Sequence, residues 1–318
     1  MDSCTIPENA GYESAGVLCW QFAIVANAIT GVLMGIRSSR NHPTAIVAIV
    51  AMIVAFAAPA VISESADAAD SLARNSLPVR AGTQLVFAGT RSGPHFSPDA
   101  VCTAGPVVRS TGIFARLSQY ARAVRYVVTA GHCASETGQT VRVGTVSVGA
   151  VTWISGRYDL ALVRIEPLSS RHQQCHSTSG GFVRCHIVVD WQPRASGQVI
   201  LIRNRAGHEQ SVAVQGTGTP APREIYCVSG RSSGVICSFR SVPKPPDLEP
   251  GAGQAFSETF GANTSDGDSG GPVVSQSGRI YGVHVQGGDP ESRFPTIEAY
   301  IPIGLFFREQ PAYEVVRD

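Results

Sequence analysis

The stretch TSDGDSGGPVV, residues 264–274, places a serine between an aspartate and two glycines, and it decides the fold of the chain. Small, flexible residues are common in loops, so the stretch taken alone is also compatible with an ordinary turn. Its central residues, GDSGG at 267–271, satisfy the G-x-S-x-G pattern in which a sharp turn presents a nucleophilic serine. Ser269 is therefore a candidate nucleophile, and residues elsewhere in the chain must indicate which fold presents it.

Two further stretches, VVTAGHCAS at 127–135 and YDLALVRI at 158–165, supply residues that could activate the serine. Each has an ordinary interpretation, because a lone histidine is usually a surface or core residue and an aspartate often begins a turn. The chain order His132, Asp159, Ser269 is not the order Ser, Asp, His of α/β-hydrolases. The 318-residue chain also leaves only 49 residues after Ser269, too few for the rest of such a sheet.

The three residue types fit one reaction. A serine hydroxyl is a poor nucleophile near neutral pH and needs a base to accept its proton. The imidazole of His132 titrates close to neutral pH, and Asp159 could accept a hydrogen bond from its other ring nitrogen and fix the tautomer. Gly267 would allow a turn in which the N–H groups of Gly267 and Ser269 converge on an oxyanion.

Together the motifs resemble those of the chymotrypsin-like (trypsin-like) serine proteases of bacterial type, over roughly residues 84 to 308. The matching segments are TAGHC at 129–133, DLAL at 159–162 and GDSGGP at 267–272. The resemblance implies two six-stranded antiparallel β-barrels with a C-terminal tail. It also implies endopeptidase activity on protein or peptide substrates through an acyl-enzyme, with His132, Asp159 and Ser269 as the catalytic triad. No cofactor is expected.

Composition and patterning independently favour an all-β chain. The sequence has 33 Gly and 20 Pro, which suit many turns. Short runs rich in Val and Ile, bounded by turn residues, predict strands. They lie at 84–87, 126–129, 140–148, 160–165, 198–202, 211–215 and 279–285. With a formal net charge of +1 there is no electrostatic reason to expect nucleic acid as a partner, and we expect a monomer.

The N-terminal region predicts export. Residues 44–62 are uncharged and follow Arg37 and Arg40, and small-residue sites occur at 58–60 and 66–68, as in a secretory signal peptide. Translation starting at Met34 would give this signal a normal beginning. Two alternatives stay open: the long apolar run is an uncleaved membrane anchor, or residues 15–36 form a first membrane span. The enzyme is accordingly expected to be secreted or tethered to the cell envelope.

These features divide the chain into a hydrophobic leader over 1–68, a short propeptide or arm over 69–83 and a protease domain over 84–318. The six cysteines after the leader suggest three disulfides, for which the sequence alone permits 15 connectivities. These cysteines are Cys102, Cys133, Cys175, Cys185, Cys227 and Cys237. The resemblance implies a Cys102–Cys133 bond that fixes the histidine loop.

The other two pairs follow less directly. A bond between Cys227 and Cys237 would close a hairpin-like loop, which leaves Cys175 and Cys185. These two alternate with zinc-ligand residue types, namely His172, His176 and His186. Because an exported chain favours oxidation, a third disulfide is preferred and no metal site is expected.

Specificity residues follow from the same resemblance. Trypsin-like enzymes place an aspartate six residues before the nucleophile, where this chain has Asn263, so cleavage after Arg or Lys is not supported. The segment YGVHVQGG at 281–288 resembles bacterial glutamyl endopeptidases, in which a hydroxyl residue and a histidine bind the substrate carboxylate. The matching positions are Thr264 and His284, so a preference for Glu at P1 is predicted. The alternative is that His284 is simply a buried strand residue.

Two departures, one from the glutamyl endopeptidases and one from trypsin-like activation, leave other questions open. The GDSGGP motif is typical of the trypsin-like group at large, and the chain has no IVGG-like activation site. Whether Asp268 pairs with a new N-terminus or with an internal arginine is therefore undecided. A non-catalytic, protease-like binding module of the cell envelope is the alternative function, as is a membrane-tethered protease of other specificity.

Overall fold

The computed structural model describes residues 72–317, except residues 90, 93, 94, 97, 178, 179, 181, 206, 289 and 290. The predicted leader over 1–68, with its apolar run and the alternative start at Met34, lies outside this range. Within the described part, no helix is long and apolar enough to cross a membrane. All described residues belong to one unit of the chain, Glu64–Asp318.

The first of two large sheets contains eight strands, all joined to their neighbours in antiparallel pairs. These are β2 (Gln84–Phe87), β5 (Ala100–Thr103), β6 (Val107–Ser110), β7 (Arg125–Thr129), β8 (Thr140–Val143), β9 (Val146–Ile154), β10 (Ala161–Ile165) and β22 (Tyr313–Val315). Their spatial order is β22-β6-β7-β10-β9-β8-β2-β5. The C-terminal strand β22 thus joins the sheet beside β6, so the predicted C-terminal tail is part of the core structure.

The second large sheet closes on itself. Its strands are β15 (Gly216–Thr217), β16 (Tyr226–Gly230), β17 (Gly234–Val242), β18 (Ala255–Thr259), β19 (Pro272–Val274), β20 (Arg279–Gln286) and β21 (Ile297–Pro302). The order is β15-β20-β19-β16-β17-β18-β21, and an additional pairing of β20 with β21 closes a six-stranded barrel. The all-β prediction is confirmed.

Smaller elements surround the two sheets. A three-stranded sheet contains β1 (Val79–Ala81), β13 (Ala195–Arg203) and β14 (Glu209–Ala213). Two two-stranded ribbons are formed by β3 (Arg91–Ser92) with β4 (His95–Phe96), and by β11 (Leu168–Ser177) with β12 (Val183–Gln192). Helical elements with described bounds are α1 (Gln119–Ala123), α2 (Ile303–Glu309) and two 3₁₀ turns, Ile113–Arg116 and Gly131–Cys133. Residues 72–74 are also helical.

Branched apolar residues build the core because their side chains pack well on a pleated surface. In β10 the run ALVRI is buried at Ala161, Leu162, Val163 and Ile165, as expected for a strand covered on both faces. The predicted strand 140–148 is divided in two at Gly144, whose φ of +55° allows the turn between β8 and β9. The segment 243–253 contains neither helix nor strand, as its prolines predicted.

Three disulfides join the six cysteines of the described chain. Cys102–Cys133 links β5 to the 3₁₀ turn after β7, and Cys227–Cys237 links β16 to β17. Cys175–Cys185 crosses the exposed ribbon of β11 and β12, where the two residues are direct register partners. The sulfurs of Cys175 and Cys185 are therefore bonded to each other, which removes them as ligands of the alternative zinc site.

Candidate active site

Two neighbouring strands bring His132 and Asp159 together. His132 lies in the 3₁₀ turn just after β7, and Asp159 lies just before β10, which pairs with β7 in antiparallel register. His132 Nδ1 is 2.7 Å from Asp159 Oδ2, and the main-chain N–H of His132 donates to Asp159 Oδ1 at 2.7 Å. Both carboxylate oxygens therefore hold the same residue, which fixes the direction of the imidazole ring.

This contact changes the protonation behaviour of both groups. The hydrogen bond to Asp159 raises the pKa of His132 above its usual value, against the opposing effect of burial. Burial acts to raise the pKa of the Asp159 carboxyl, but its hydrogen bonds and charge interaction with His132, with a main-chain bond from Gly131, outweigh burial and lower it. The pair consequently favours an ionised aspartate beside an imidazole that can take up a proton.

The loop between β18 and β19 carries Ser269. Gly267 and Gly270 adopt φ values of +92° and +90°, which other residues rarely adopt. A β-carbon on Gly270 would lie 2.1 Å from the side-chain oxygen of Thr129 in β7, so only glycine fits this close approach. The loop therefore packs directly against the strand that precedes His132.

Ser269 and His132 line one cleft of about 980 Å³. The cleft also contains each residue that the sequence predicted for substrate binding: Asn263, Thr264 and His284. His132 is half-exposed there, with 47% of its side chain accessible, and Asp159 is 31% accessible. The structure thus places Ser269, His132 and the three predicted substrate-binding residues around one opening, and Asp159 contacts His132.

Two main-chain donors beside Ser269 are available to a ligand. Asp268 N–H donates to Ser265 O and Gly270 N–H donates to His284 O, at 3.1 and 2.8 Å. The N–H groups of Gly267 and Ser269, each of which precedes one of these bonded residues, donate to no acceptor within the described part of the chain. Free donors of this kind are what an oxyanion requires.

The structure also locates the partners of Asp268, which is fully buried. Its Oδ1 accepts from the main-chain N–H groups of Ser232 and Ser233 at 2.7 and 3.1 Å, and its Oδ2 accepts from Ser265 N–H at 2.9 Å. Among the described residues Asp268 forms no ion pair, so the arginine partner considered above is not found there. Three main-chain donors stabilise the carboxylate instead.

Two contributing residues carried no signal in the sequence. Thr103, next to Cys102, donates from its hydroxyl to Gly267 O at 2.8 Å, and its N–H donates to Ser269 O at 2.8 Å. It thereby fixes the main chain on both sides of Asp268. Glu298 is fully buried in β21, and its Oε1 lies 3.0 Å from His284 Nδ1.

Buried contacts also hold the residues that the sequence predicted for substrate binding. His284 is only 1% exposed and lies in β20, as the alternative interpretation expected, yet it also lines the cleft. Glu298 accepts a second hydrogen bond from the Ser257 hydroxyl. Thr264 is 7% exposed, and its N–H and hydroxyl both donate to Asn263 Oδ1, at 2.8 and 3.3 Å.

The fold and the site have the form of a chymotrypsin-like serine protease. The family model described as trypsin matches residues 122–307, more than half of the chain, and the protein therefore belongs to the trypsin family. It is accordingly a serine endopeptidase, a hydrolase whose substrates are proteins or peptides. No curated protein sequence matches the chain.

Several solved protease structures are similar to this chain at low identity. Nocardiopsis protease (NAPase) is 20% identical, over 68% of this chain and 93% of that one, with a TM-score of 0.42. A glutamic-acid-specific serine protease that uses a histidine triad in substrate binding is 19% identical, over 74% and 100%, with a TM-score of 0.46. Cellulomonas bogoriensis chymotrypsin is 20% identical, over 68% and 91%, with a TM-score of 0.40.

Proposed function

We propose that Ser269 is the nucleophile of this endopeptidase, His132 its general base and Asp159 the residue that orients and stabilises the imidazole. The observation that carries the proposal is the two-point contact of Asp159 with His132, at 2.7 Å each, beside Ser269 in one cleft. With Nδ1–H bonded to Asp159, the unprotonated Nε2 is the nitrogen that remains to accept a proton.

The reaction proceeds in two halves. Ser269 Oγ attacks the scissile carbonyl carbon while its proton moves to His132 Nε2, and the oxyanion accepts hydrogen bonds from Gly267 N–H and Ser269 N–H. The imidazolium then donates its proton to the leaving amine, and the C–N bond breaks to give an acyl-enzyme. A water molecule then attacks the ester carbon while His132 takes its proton. The imidazolium returns this proton to Ser269 Oγ as the C–O bond breaks and the acid is released.

We expect kcat/KM to rise with pH through the deprotonation of His132. Because the contact with Asp159 raises the pKa of His132, the midpoint of this rise should lie above the ordinary imidazole value of 6.5. The protonated ring cannot accept a proton from Ser269, so activity is lost below this midpoint. The measurement is kcat/KM against pH on one peptide whose own groups do not titrate there; a midpoint below 6.5 would contradict the assignment.

The preferred substrate residue at P1 is glutamate, recognised by His284 and Thr264 with Asn263 beside them. A ring that gives Nδ1–H to Glu298 can donate from Nε2 to a second carboxylate only when it carries both protons. The buried carboxylate of Glu298 is the counter-charge that such a buried imidazolium needs. A substrate carboxylate would then complete an arrangement of two anions around one cation.

His284→Ala tests this recognition. On matched peptides with Glu or its neutral analogue Gln at P1, the native enzyme should prefer Glu. In the variant, the ratio of kcat/KM on the Glu peptide to kcat/KM on the Gln peptide should fall about 10- to 100-fold, the effect of one charge-assisted hydrogen bond. The Gln peptide is an internal control, because a general loss of structure would slow both substrates in parallel. A parallel fall, or a native enzyme indifferent to Glu, would overturn the specificity and leave the triad assignment standing.

The enzyme is exported in this proposal. Residues 1–68 form the leader, and three disulfides suit an oxidising compartment. The catalytic domain acts as a monomer, released by cleavage of the leader. Fractionating cells that express the chain from Met34 distinguishes release from membrane anchorage, since an uncleaved apolar run would retain the activity in the membrane fraction.

A further inference from the structure

An arginine of the N-terminal arm is buried against residues that are distant in the sequence. Arg74 is 3% exposed, and its Nε and Nη2 donate to the two carboxylate oxygens of Glu209 at 2.6 Å each. Nη1 donates to Gly82 O at 2.8 Å, and Nη2 also reaches Ser229 Oγ at 3.2 Å. A buried, bidentate pair of this kind specifies its geometry closely, because each desolvated charge needs its partner in place.

The last residues of the described arm are also packed against the domain, whereas Leu72 and Leu77 are exposed. Val79 and Ala81 are completely buried, and β1 pairs in parallel with β13. Thr83 N–H bonds to Arg80 O within the arm, and Thr83 O accepts from Ala104 N–H in the first sheet's loop after β5. Within the segment predicted as a propeptide or arm, Arg74 and residues 79–83 are therefore packed against the rest of the described chain.

The Arg74–Glu209 pair lies next to the turn that holds Asp268. This turn, residues 231–233, connects β16 to β17 and supplies two of the three main-chain donors to Asp268. Ser229, which contacts Arg74, lies two residues before it. On its other side, a β-carbon on Gly234 would lie 3.3 Å from Glu209 Oε1. The ion pair thus contacts the strand before the turn and approaches the residue after it.

We propose that Arg74 is a positioning residue of the retained arm. It supports the 231–233 turn, which holds Asp268, and Asp268 in turn places the free N–H groups of Gly267 and Ser269. This inference rests on the oxyanion role proposed above for those two groups. It means that the active enzyme keeps Arg74 after maturation and that Asp268 needs no newly formed α-amine.

Arg74→Met in the full chain tests the positioning role. We expect kcat to fall about 100-fold, because a small displacement of the oxyanion donors has an effect of this size, with KM changed less than threefold. Arg74→Lys, which keeps the charge without the planar fork, should recover part of kcat. The control is Val141→Ala, a buried substitution in β8, which should lower the unfolding temperature without lowering kcat.

A kcat for Arg74→Met within threefold of the native value would overturn the proposal, as would an equal fall in Val141→Ala. Labelling of Ser269 by a fluorophosphonate distinguishes a wrong role for Arg74 from a wrong triad assignment. An unlabelled native enzyme would refute the triad. A native enzyme and an Arg74→Met variant that label at equal rates would refute only the role of Arg74.

A second measurement does not depend on the folding of any Arg74 variant. The chain has a single lysine, Lys244, whose ammonium contacts only the carbonyls of Pro246 and Leu248 in the described structure. In Lys244→Arg the α-amine is the sole amine open to acetylation. We expect acetylation to leave kcat unchanged, and mass spectrometry of the active enzyme to find Arg74 present. A loss of activity on acetylation, or a mature chain that begins after Arg74, would overturn the inference.

Discussion

Replacing Ser269 by alanine is expected to lower kcat by about 10⁵- to 10⁶-fold, the effect of removing the nucleophile from a serine protease. The main-chain contacts of this residue do not depend on its hydroxyl: Ser269 O accepts from Thr103 N–H at 2.8 Å in either case. The variant should therefore fold normally, and its loss of rate reports on chemistry alone. The measurement is single-turnover hydrolysis of a peptide ester or amide, together with the unfolding temperature.

Ser275→Ala is the matched control for this substitution. Ser275 follows β19 and is 5% exposed, and its hydroxyl contacts Ser277 and the N–H of Arg279 outside the cleft. Loss of these buried hydrogen bonds should reduce stability by about 1–3 kcal/mol. Because the contacts lie outside the cleft, kcat should stay within about twofold of the native value. Retained hydrolysis in Ser269→Ala, or its continued labelling by a fluorophosphonate, would show that another group is the nucleophile.

The catalytic motifs could be found in the sequence because each lies beside a strand with a strong local pattern. The apolar runs of β7 and β10 predicted two strands, and their antiparallel pairing joins the segments that carry His132 and Asp159. Glycines on either side of Ser269 indicated a sharp turn, and Gly267 and Gly270 have positive φ values. In these segments the strands and the turn predicted from the local sequence are also present in the structure.

Supporting contacts between distant segments gave no local signal. The Arg74–Glu209 pair joins residues 135 positions apart, and the bond from Thr103 to Gly267 joins residues 164 apart. Such pairs arise only when strand topology is fixed, because neither residue type is unusual at its own position. The same holds for Glu298, whose contact with His284 depends on the register of β20 against β21. Topology therefore determines which residues contact the proposed catalytic and specificity groups.

Two further segments, the arm over residues 72–83 and the ribbon of β11 and β12, have a burial that their local sequence does not predict. Residues 72–83 are polar and irregular in sequence, yet β1 is buried because β13 offers it an open edge. In contrast, β11 and β12 pair over ten residues each while remaining largely exposed. Local hydrophobicity does not predict either outcome, since both depend on what lies beside the strand.

Replacing Asp159 by asparagine should lower kcat by about 10⁴-fold while leaving the size and shape of the side chain almost unchanged. Asp159 Oδ1 accepts from the main-chain N–H of His132, a donor that cannot reverse its role. The asparagine oxygen will occupy this position, because turning the amide would set two N–H donors against each other at a cost of about 1–3 kcal/mol. The amide NH₂ then faces Nδ1, so the ring must carry its proton on Nε2 and cannot act as the base.

The matched control is Asp190→Asn, because Asp190 lies 3.2 Å from His172 Nδ1 in an equivalent pairing on the exposed ribbon. This variant should retain the native kcat. Asp159→Asn should also shift the rise of kcat/KM to lower pH, since the contact that raises the pKa of His132 is weakened. The two effects have one cause, so they must occur together. If Asp159→Asn kept more than a tenth of kcat, or if its pH midpoint did not move, Asp159 would not be the residue that orients His132.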